Sequence, residues 1–194
     1  MSTCAIILAA DAGSGFAGPK YLTDVRGRPM LQWVLDGAVD WPVESRVVVL
    51  GSDAEKMIDS LDFRDMTVVI DPEWSEGTGS PLRASLDLVS RDRSVTRCLV
   101  TRGDQPDPGL EIVGALLERA AETSADAVVP KYRYSIGWPV VLARSLWPPF
   151  LGSEGSIDVL DMVTAHSALV EEVWFDHLPP ASYESPEDLP PPRR

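Results

Sequence analysis

LAADAGSGFAGPK, residues 8–20, is the stretch that decides the fold, because it joins an apolar run to a loop of small residues. The run CAIILAA, residues 4–10, carries no charge and predicts a buried strand. Glycines in the loop that follows let backbone N–H groups approach phosphate oxygens without an obstructing Cβ. Pro19 stiffens the loop, and Lys20 offers a positive charge to the phosphates. The stretch therefore predicts a strand and a phosphate-binding loop. A plain connecting loop is the alternative, because the stretch matches neither the P-loop nor the dinucleotide-binding pattern.

Length and composition fit one α/β domain in a chain of 194 residues. A chain of this size buries about 70% of the surface that it exposes when unfolded. The content of 44% hydrophobic and 24% charged residues is typical of a globular protein. The net charge of −13 argues against nucleic acid or an anionic membrane as the main partner, because both bind basic surfaces. A nucleotide stays open, because a local cluster of donors and a metal ion suffice to hold one.

Cysteine usage and hydropathy favour the cytoplasm. Cys4 and Cys98 both lie in apolar, strand-like runs, where they are expected to be small buried side chains in a reducing compartment. His166 and His177 are isolated, so no cysteine–histidine group has zinc spacing. The sequence shows no signal peptide, and no apolar run approaches the roughly 18 residues of a membrane span. We therefore expect a cytoplasmic protein with no membrane partner.

Hydrophobic patterning predicts alternating strands and helices. The predicted strands are six short apolar or β-branched runs at residues 4–10, 46–51, 67–71, 98–101, 127–130 and 140–143. The predicted helices have apolar residues at three- and four-residue intervals and lie at residues 30–40, 54–61, 82–89 and 110–121. This alternation indicates a parallel sheet covered on both faces, which binds ligands at the carboxyl ends of its strands. We expect a single domain over residues 1–178 and a Pro-rich C-terminal segment and tail over residues 179–194, with PPPRR at its end frayed.

Four further segments carry residues that suit binding. Asp104 follows a predicted strand and Gly103, a position from which an aspartate can hold Mg²⁺ together with substrate phosphates; an aspartate in a turn is the alternative. WSEGTGSPLR, residues 74–83, leads to a helix start at Ser80 and Pro81, whose free N–H groups suit a base, a ribose or a phosphate. Ordinary capping by Ser80 is the alternative there. On their own, the last two segments predict only structural features: a tight turn at GWPV, residues 137–140, and a capped helix start at SPEDL, residues 185–189.

Taken in order, these segments resemble the pattern of the MobA-like NTP transferases, the family of the molybdenum-cofactor cytidylyl- and guanylyltransferases. The family pattern opens with L-A-A-G-x-G/S-x-R-M/F-G-x-P-K-x-L and G-x-P-L/M. It continues with W-x-E-G-x-x-S-S-L-R-x-S/G, L-x-G-D-Q-P, G-H-P, G-A-R-D-L-L and D-I-D-T-P-E-D-L. The matching segments here are LAADAGSGFAGPKYL at 8–22, GRPM at 27–30, WSEGTGSPLRAS at 74–85, GDQP at 103–106, GWP at 137–139, GSIDVL at 155–160 and SYESPEDL at 182–189. The resemblance covers nearly the whole chain in the family's order.

The resemblance implies a Rossmann-like, three-layer α/β/α fold of glycosyltransferase-A (nucleotide-diphospho-sugar transferase) type with a mostly parallel sheet. It implies a Mg²⁺-dependent nucleotidyltransferase that moves a nucleoside monophosphate from an NTP, CTP or GTP, to a small phosphorylated cofactor precursor such as molybdopterin, with release of pyrophosphate. The implied catalytic residues are Lys20 and Asp104, and Asp104 and Glu184 are the implied metal ligands. The implied nucleotide-binding residues are Leu8, Ala9, Ala10, Gly13, Ser14, Gly15, Gly18, Lys20, Glu76, Gly77, Ser80 and Arg83.

Most departures from the family pattern change charge. Asp11 stands at a loop glycine of the pattern, and Gly15 stands at the loop arginine. Trp138 replaces the histidine of G-H-P, Ile157 replaces the arginine of G-A-R-D, and Ser182 replaces an acid of the closing motif. The carboxylate of Asp11 is expected to repel the phosphates of a nucleotide. At a distance of about 5 Å and an effective dielectric near 20, each like charge makes binding less favourable by roughly 3 kcal/mol. Loss of an arginine clamp commonly slows phosphoryl transfer by on the order of 10³ or more.

Two functions therefore stay open. In the first, the chain is a nucleotidyltransferase in which Arg83 or Arg102 replaces the missing loop arginine. In the second, it is a degenerate relative that acts as a nucleotide-binding module, binds a protein partner or forms a homodimer. The retained GPK and GDQP segments favour the enzyme, whereas Asp11 and Gly15 favour the degenerate relative. A guanylyltransferase for a phosphorylated carboxylic acid would differ from the first only in its substrate.

Overall fold

All but the last residue of the run CAIILAA lie in a strand inside the sheet, in a computed structural model that describes residues 2–77, 79–106 and 108–191. The strands of the described residues are β1 (Ser2–Ala9), β2 (Asp24–Val25), β3 (Arg28–Pro29), β4 (Ser45–Leu50), β5 (Thr67–Ile70), β6 (Val95–Arg102), β7 (Ala127–Tyr132), β8 (Val140–Ala143) and β9 (Val170–Phe175). The α-helices are α1 (Met30–Ala38), α2 (Ala54–Ser60), α3 (Gly79–Ser90), α4 (Leu110–Glu122), α5 (Trp147–Leu151) and α6 (Val159–His166).

Seven strands form one sheet in the order β5-β4-β1-β6-β8-β7-β9, and β2 and β3 form a separate antiparallel hairpin. In the large sheet β8 is antiparallel to both of its neighbours, whereas the other pairs are parallel. Cys4 of β1 pairs in register with Ser45 of β4 on one side and with Cys98 of β6 on the other. The prediction of an α/β protein with a mostly parallel sheet is thus confirmed.

Alternation along β1 creates two cores. Ile7 faces the core that α1 and α4 cover, with Leu31 and Leu116 among its buried members. Ile6 faces the opposite core, which α3, α5 and α6 cover. Both isoleucines are fully buried, because successive side chains of a strand point to opposite faces and each face carries helices. This arrangement confirms the predicted three layers.

The predicted strands and helices are all present, with ends that differ by a few residues from those expected. Elements that the patterns did not predict are β9, α5, α6 and the β2–β3 hairpin. Because β9 is an edge strand, its side chains are mostly exposed and include two glutamates, so it lacks the apolar run of a central strand. Two prolines in α5 made that segment resemble a loop, although proline is tolerated in the first helical turn.

The cysteine prediction is confirmed: Cys4 and Cys98 are buried free thiols, and burial raises the pKa of Cys98 well above its usual value. Of the helices in the described ranges, none combines the length and the apolar character needed to cross a bilayer.

The C-terminal segment packs on the domain as far as residue 191. Tyr183 is buried, and its backbone N–H donates to the carbonyl oxygen of Asp104 at 2.9 Å. Leu189 packs against the same core as Ile7. Residues 192–194, most of the PPPRR that we expected to be frayed, lie outside the described residues, as does Thr78 of the segment 74–85. The segment therefore brings residues 182–184 to the edge of the sheet where Asp104 lies.

The short helix α5 supplies a stability test, because Phe150 at its centre is fully buried. Phe150→Ala leaves a cavity in the core and is expected to lower the free energy of unfolding by about 3–5 kcal/mol. Tyr134→Ala is the control: the tyrosine is 79% exposed, and its loss should change stability by less than about 0.5 kcal/mol. Urea denaturation measures both values. Equal small losses in the two variants would contradict the packing described for α5.

Candidate functional site

A cavity of about 470 Å³ opens at the carboxyl ends of β1 and β6. Residues from the ends of these strands form one wall, and the start of α3, the turn before β8 and the segment before α6 form the rest. The lining residues are Leu8, Ala10, Asp11, Tyr21, Pro81, Arg102, Asp104, Trp138, Ser156, Ile157, Asp158, Val159 and Glu184. Several segments that are distant in sequence therefore meet in one cleft.

Lys20 lies beneath the small-residue loop, with only 4% of its side chain exposed. Its Nζ donates to Asp104 Oδ2 at 2.7 Å and to Asp11 Oδ1 at 3.1 Å. Gly13 makes room for the lysine, because a Cβ at residue 13 would lie 2.6 Å from Lys20 Cδ. Gly13 also has a φ of +66°, which favours glycine. The glycine of the loop thus lets the aliphatic chain of Lys20 run under the backbone to Asp104.

Asp104 is the buried carboxylate of the site, with 1% of its surface exposed. Gly103 brings it there: the Gly103 N–H donates to Leu8 O at 2.8 Å, and a Cβ at residue 103 would lie 2.8 Å from Ala9 Cβ. A buried carboxylate needs charged partners, because removing it from water costs several kcal/mol. Lys20 supplies one partner and Arg102 supplies the other.

Arg102 binds two carboxylates at once. Its Nε donates to Asp104 Oδ1 at 2.9 Å and its Nη2 to Asp104 Oδ2 at 2.8 Å. Its Nη1 donates to Glu184 Oε1 at 2.8 Å. Burial works to lower the pKa of Arg102, but the charges and hydrogen bonds of Asp104 and Glu184 outweigh it and raise the pKa. The guanidinium is therefore a fixed positive charge between these two carboxylates.

Asp11 forms an ion pair with Lys20 from the side of the cavity. Its carboxylate accepts hydrogen bonds from Lys20 Nζ and from the Tyr21 hydroxyl. Burial and the negative charges of Asp11 and Asp104 raise the pKa of the Tyr21 phenol well above its usual value, so the phenol stays a donor. The position next to the lysine that a ligand phosphate would need thus holds a carboxylate.

The second predicted binding segment, residues 74–83, is divided between different environments. Ser80 is buried and donates to Asp71 Oδ1 at 3.0 Å. Arg83 donates to Ser153 O at 2.8 Å and to Glu73 Oε2 at 3.2 Å, so it lines a separate depression together with Asp71. From this segment Pro81 reaches the main cavity.

The other predicted residues lie around the cleft. Leu8, Ala10, Asp104 and Glu184 line it. Ala9 is buried behind it, and Gly13 is half-buried in the loop. Ser14, Gly15, Gly18 and Glu76 are exposed. Gly77 packs against the backbone of Ser156, where a Cβ would lie 2.6 Å from the amide nitrogen, so the loop before α3 supports a segment of the cavity wall.

Side chains that the sequence did not single out for binding also line the cavity: Tyr21, Trp138, Ile157 and Asp158. Tyr21 follows Lys20 in a short 3₁₀ turn. Its position next to the lysine was the one signal in the sequence that it belongs to the site. Asp158 also caps α6, where its Oδ1 accepts from Asp161 N at 2.9 Å.

Charge in the cavity is predominantly negative. The described lining residues include four carboxylates, on Asp11, Asp104, Asp158 and Glu184, and one cation, Arg102. Over the described ranges, the structure holds no group of three or more acidic, histidine or cysteine side chains arranged to bind a metal ion. The cavity can therefore bind a polyanion only if a cation accompanies it or the existing ion pairs rearrange.

Comparison with known proteins identifies relatives over most of the chain. The model of the MobA-like NTP transferase domain matches residues 5–169. The bifunctional protein GlmU of Lactococcus lactis subsp. cremoris is 32% identical over 137 residues, which are 67% of this chain and 29% of GlmU. The chain thus spans less than a third of that relative. A protein of Paenarthrobacter nicotinovorans named nicotine blue oxidoreductase is 30% identical over 152 residues, covering 74% of this chain and 72% of that protein.

Solved structures share the fold at lower identity. Rv0371c of Mycobacterium tuberculosis, in a complex with manganese, superposes with a TM-score of 0.85 at 20% identity over 97% of this chain and 96% of the other. Molybdopterin-guanine dinucleotide biosynthesis protein A of Archaeoglobus fulgidus superposes with a TM-score of 0.70 at 18% identity over 95% and 94% of the two chains. The nucleotide-diphospho-sugar transferase type of fold that the sequence predicted is confirmed.

Gly13→Ala tests whether the loop glycine is required to seat Lys20. The methyl group would overlap the lysine side chain, so we expect the Lys20–Asp104 pair to be disturbed and the free energy of unfolding to fall by about 2–4 kcal/mol. Gly27→Ala is the matched control, because Gly27 also has a positive φ, +91°, but no atom within 4 Å of the added Cβ. In Gly27→Ala the free energy of unfolding should fall only by the cost of backbone strain, about 1–2 kcal/mol. Urea denaturation compares the two variants, and equal losses would refute a special role for the lysine contact.

Proposed function

Because this chain belongs to the MobA-like NTP transferase domain family, we propose that it transfers a nucleoside monophosphate from CTP or GTP to a small phosphorylated cofactor precursor such as molybdopterin, with release of pyrophosphate. One observation carries the proposal: Asp104 and Glu184, which stand in two of the family's motifs, both bind Arg102 in a cleft at the carboxyl edge of the sheet. The name of the Archaeoglobus neighbour supports molybdopterin as the precursor.

The triphosphate binds over the first loop in this proposal. Backbone N–H groups between Gly13 and Gly18 face the phosphates, and Lys20 contributes its ammonium charge. To reach Lys20, a phosphate oxygen takes the position of the Asp11 carboxylate, which is 49% exposed and must give up its hydrogen bonds to Lys20 and Tyr21. The base and ribose extend toward the start of α3, where Gly79 begins the helix and Pro81 lines the cavity.

Asp104 and Glu184 fit Mg²⁺ by their chemistry and placement. Carboxylate oxygens are hard donors, and Mg²⁺ sites commonly use one or two of them together with substrate phosphates. These two carboxylates bind a single guanidinium at 2.8–2.9 Å, so both face one position in the cleft that a cation occupies. A bound Mg²⁺ would neutralise phosphate charge during transfer. The manganese complex of the Mycobacterium neighbour supports a divalent ion.

The acceptor occupies the far end of the cleft in this proposal, beside Trp138 and Ile157. Both line the cavity, and the indole and the aliphatic chain stand where the family pattern has a histidine and an arginine. Trp138 offers a flat apolar face to a ring such as a pterin. The acceptor phosphate is then positioned toward the α-phosphorus of the nucleotide, and positioning supplies much of the rate.

A specific observation favours the second candidate function, a degenerate family member that binds nucleotide or a protein partner without catalysis. Lys20 forms ion pairs with Asp11 and Asp104, so its positive charge is balanced without a nucleotide. Gly15, at the loop arginine of the family pattern, has a φ of +83° and is exposed. The loop thus supplies no guanidinium to the phosphates.

Calorimetric titration with CTP, GTP and ATP, with and without Mg²⁺, tests the proposal. We expect micromolar, Mg²⁺-dependent binding of CTP or GTP, and pyrophosphate release when molybdopterin is added. Asp104→Asn removes the charge of an implied metal ligand and should abolish the Mg²⁺-dependent part of the affinity. Asp59→Asn, an exposed carboxylate on α2, is the charge-matched control. Tight binding without pyrophosphate release would identify the degenerate relative, and no binding of any nucleotide would overturn both nucleotide functions.

Asp11→Asn tests whether the loop carboxylate opposes nucleotide. The substitution keeps the shape of the side chain and removes its charge. A like charge near a phosphate costs roughly 3 kcal/mol at about 5 Å, and exposure and pairing with Lys20 reduce that cost. We therefore expect nucleotide affinity to rise about tenfold, measured by the same titration. Unchanged or weaker affinity in Asp11→Asn would show that the carboxylate helps to seat Lys20 rather than repelling the ligand.

A further inference from the structure

The two carboxylates that suit a divalent ion are bridged by one side chain of the protein itself. Arg102 donates twice to Asp104 and once to Glu184, with all three N–O distances between 2.8 and 2.9 Å. Such charge-assisted, bidentate hydrogen bonds are among the strongest that proteins form. The guanidinium thus occupies the position between the carboxylates.

Arg102 is the cationic side chain that balances these carboxylates within the described part of the cavity lining. Among the described lining residues Arg102 is the one cation, and it faces four carboxylates. Lys20 lies beneath and is already shared between Asp11 and Asp104. Because Arg102 is 30% exposed at the end of β6, its guanidinium has room to leave the carboxylates for the cleft.

We propose that Arg102 and a divalent cation compete for Asp104 and Glu184, so that Arg102 sets the affinity of the site for the metal. This inference rests on the proposed function, since it takes these carboxylates as the metal ligands. The competition has a physical basis: a metal ion must break three charge-assisted hydrogen bonds before both carboxylates are available to it. A metal ion that arrives with a nucleotide brings phosphate ligands of its own, which offset this cost. The site therefore favours the metal–nucleotide complex over the free metal ion.

Mn²⁺ binding to the full chain without nucleotide provides the test, because Mn²⁺ accepts the same oxygen ligands and its free ion gives an electron paramagnetic resonance signal. We expect Arg102→Gln to bind Mn²⁺ at least about tenfold more tightly than the wild type. Arg91→Gln is the matched control. Arg91 forms an exposed ion pair with Asp87 at 2.7 Å, so its loss changes net charge equally without touching the cavity. Its affinity should stay within about twofold of the wild type.

A double variant identifies the ligands. The double variant Arg102→Gln with Glu184→Gln should not bind Mn²⁺ more tightly than the wild type, because one of the two carboxylates freed by the loss of Arg102 is also removed. A purely structural role for Arg102 would lower Mn²⁺ affinity or leave it unchanged, so a rise distinguishes competition from support. If Arg102→Gln does not fold, as judged by circular dichroism, Arg102→Lys replaces it. Lysine cannot make the bidentate contact, and we expect a gain of about threefold.

The outcomes separate this inference from the proposed function. Equal Mn²⁺ affinity in the wild type and Arg102→Gln would overturn the competition, even where the wild type binds Mg²⁺ with a nucleotide as proposed. A rise in Mn²⁺ affinity in Arg102→Gln that the additional Glu184→Gln substitution cancels would support the competition. This holds even where no nucleotide binds and the transferase function fails. Absence of Mn²⁺ binding in every variant would overturn the competition, whereas the titration of the wild type with nucleotide and Mg²⁺ decides the metal part of the proposed function.

Discussion

The ion pair between Lys20 and the buried Asp104 is the interaction on which the rest of the site depends. A carboxylate that is 1% exposed must be compensated, since desolvation of an unpaired charge costs several kcal/mol. Lys20 can compensate it only by passing under the first loop, and that path requires Gly13. Gly103 in turn lets the end of β6 approach β1 closely enough to place Asp104 within reach. Gly13 and Gly103 are thus explained by the packing around the ion pair, independently of any ligand.

The pattern of the glycine-rich loop is therefore weaker evidence for catalysis than for the fold. A loop whose small residues accommodate a buried lysine keeps its pattern even where catalysis has been lost, because the fold itself needs the pattern. Retention of GPK and GDQP therefore argues for the fold more strongly than for turnover. Positions that the ion pair does not constrain, such as Gly15 and Glu184, carry more information about chemistry, because both are exposed. Family membership is shown over residues 5–169, whereas the substrate depends on these freer positions.

Much of the fold and part of the site could be predicted from the sequence. Uncharged runs such as residues 4–10 identified central strands, because burial on both faces excludes charge. The edge strand β9 escaped detection because one of its edges and much of its surface meet water. Asp104 and Lys20 were predicted individually, but their direct contact was not, since 84 residues separate them. The bridging role of Arg102 was also hidden, because it depends on the return of the C-terminal segment to bring Glu184 beside β6.

Two departures from the family pattern, Asp11 and Gly15, belong with Arg102 to one electrostatic set. Asp11 adds a negative charge to the loop and Gly15 lacks a positive one, while Arg102 places a positive charge at the end of β6. Lys20 and Arg102 face three carboxylates, on Asp11, Asp104 and Glu184, so the cluster is closed by its own ion pairs with one negative charge in excess. In the proposed function, an anionic ligand exchanges for Asp11 and a cation exchanges for Arg102. Binding at this site is therefore a replacement of internal ion pairs, and its strength depends on how well the metal–nucleotide complex reproduces both partners at once.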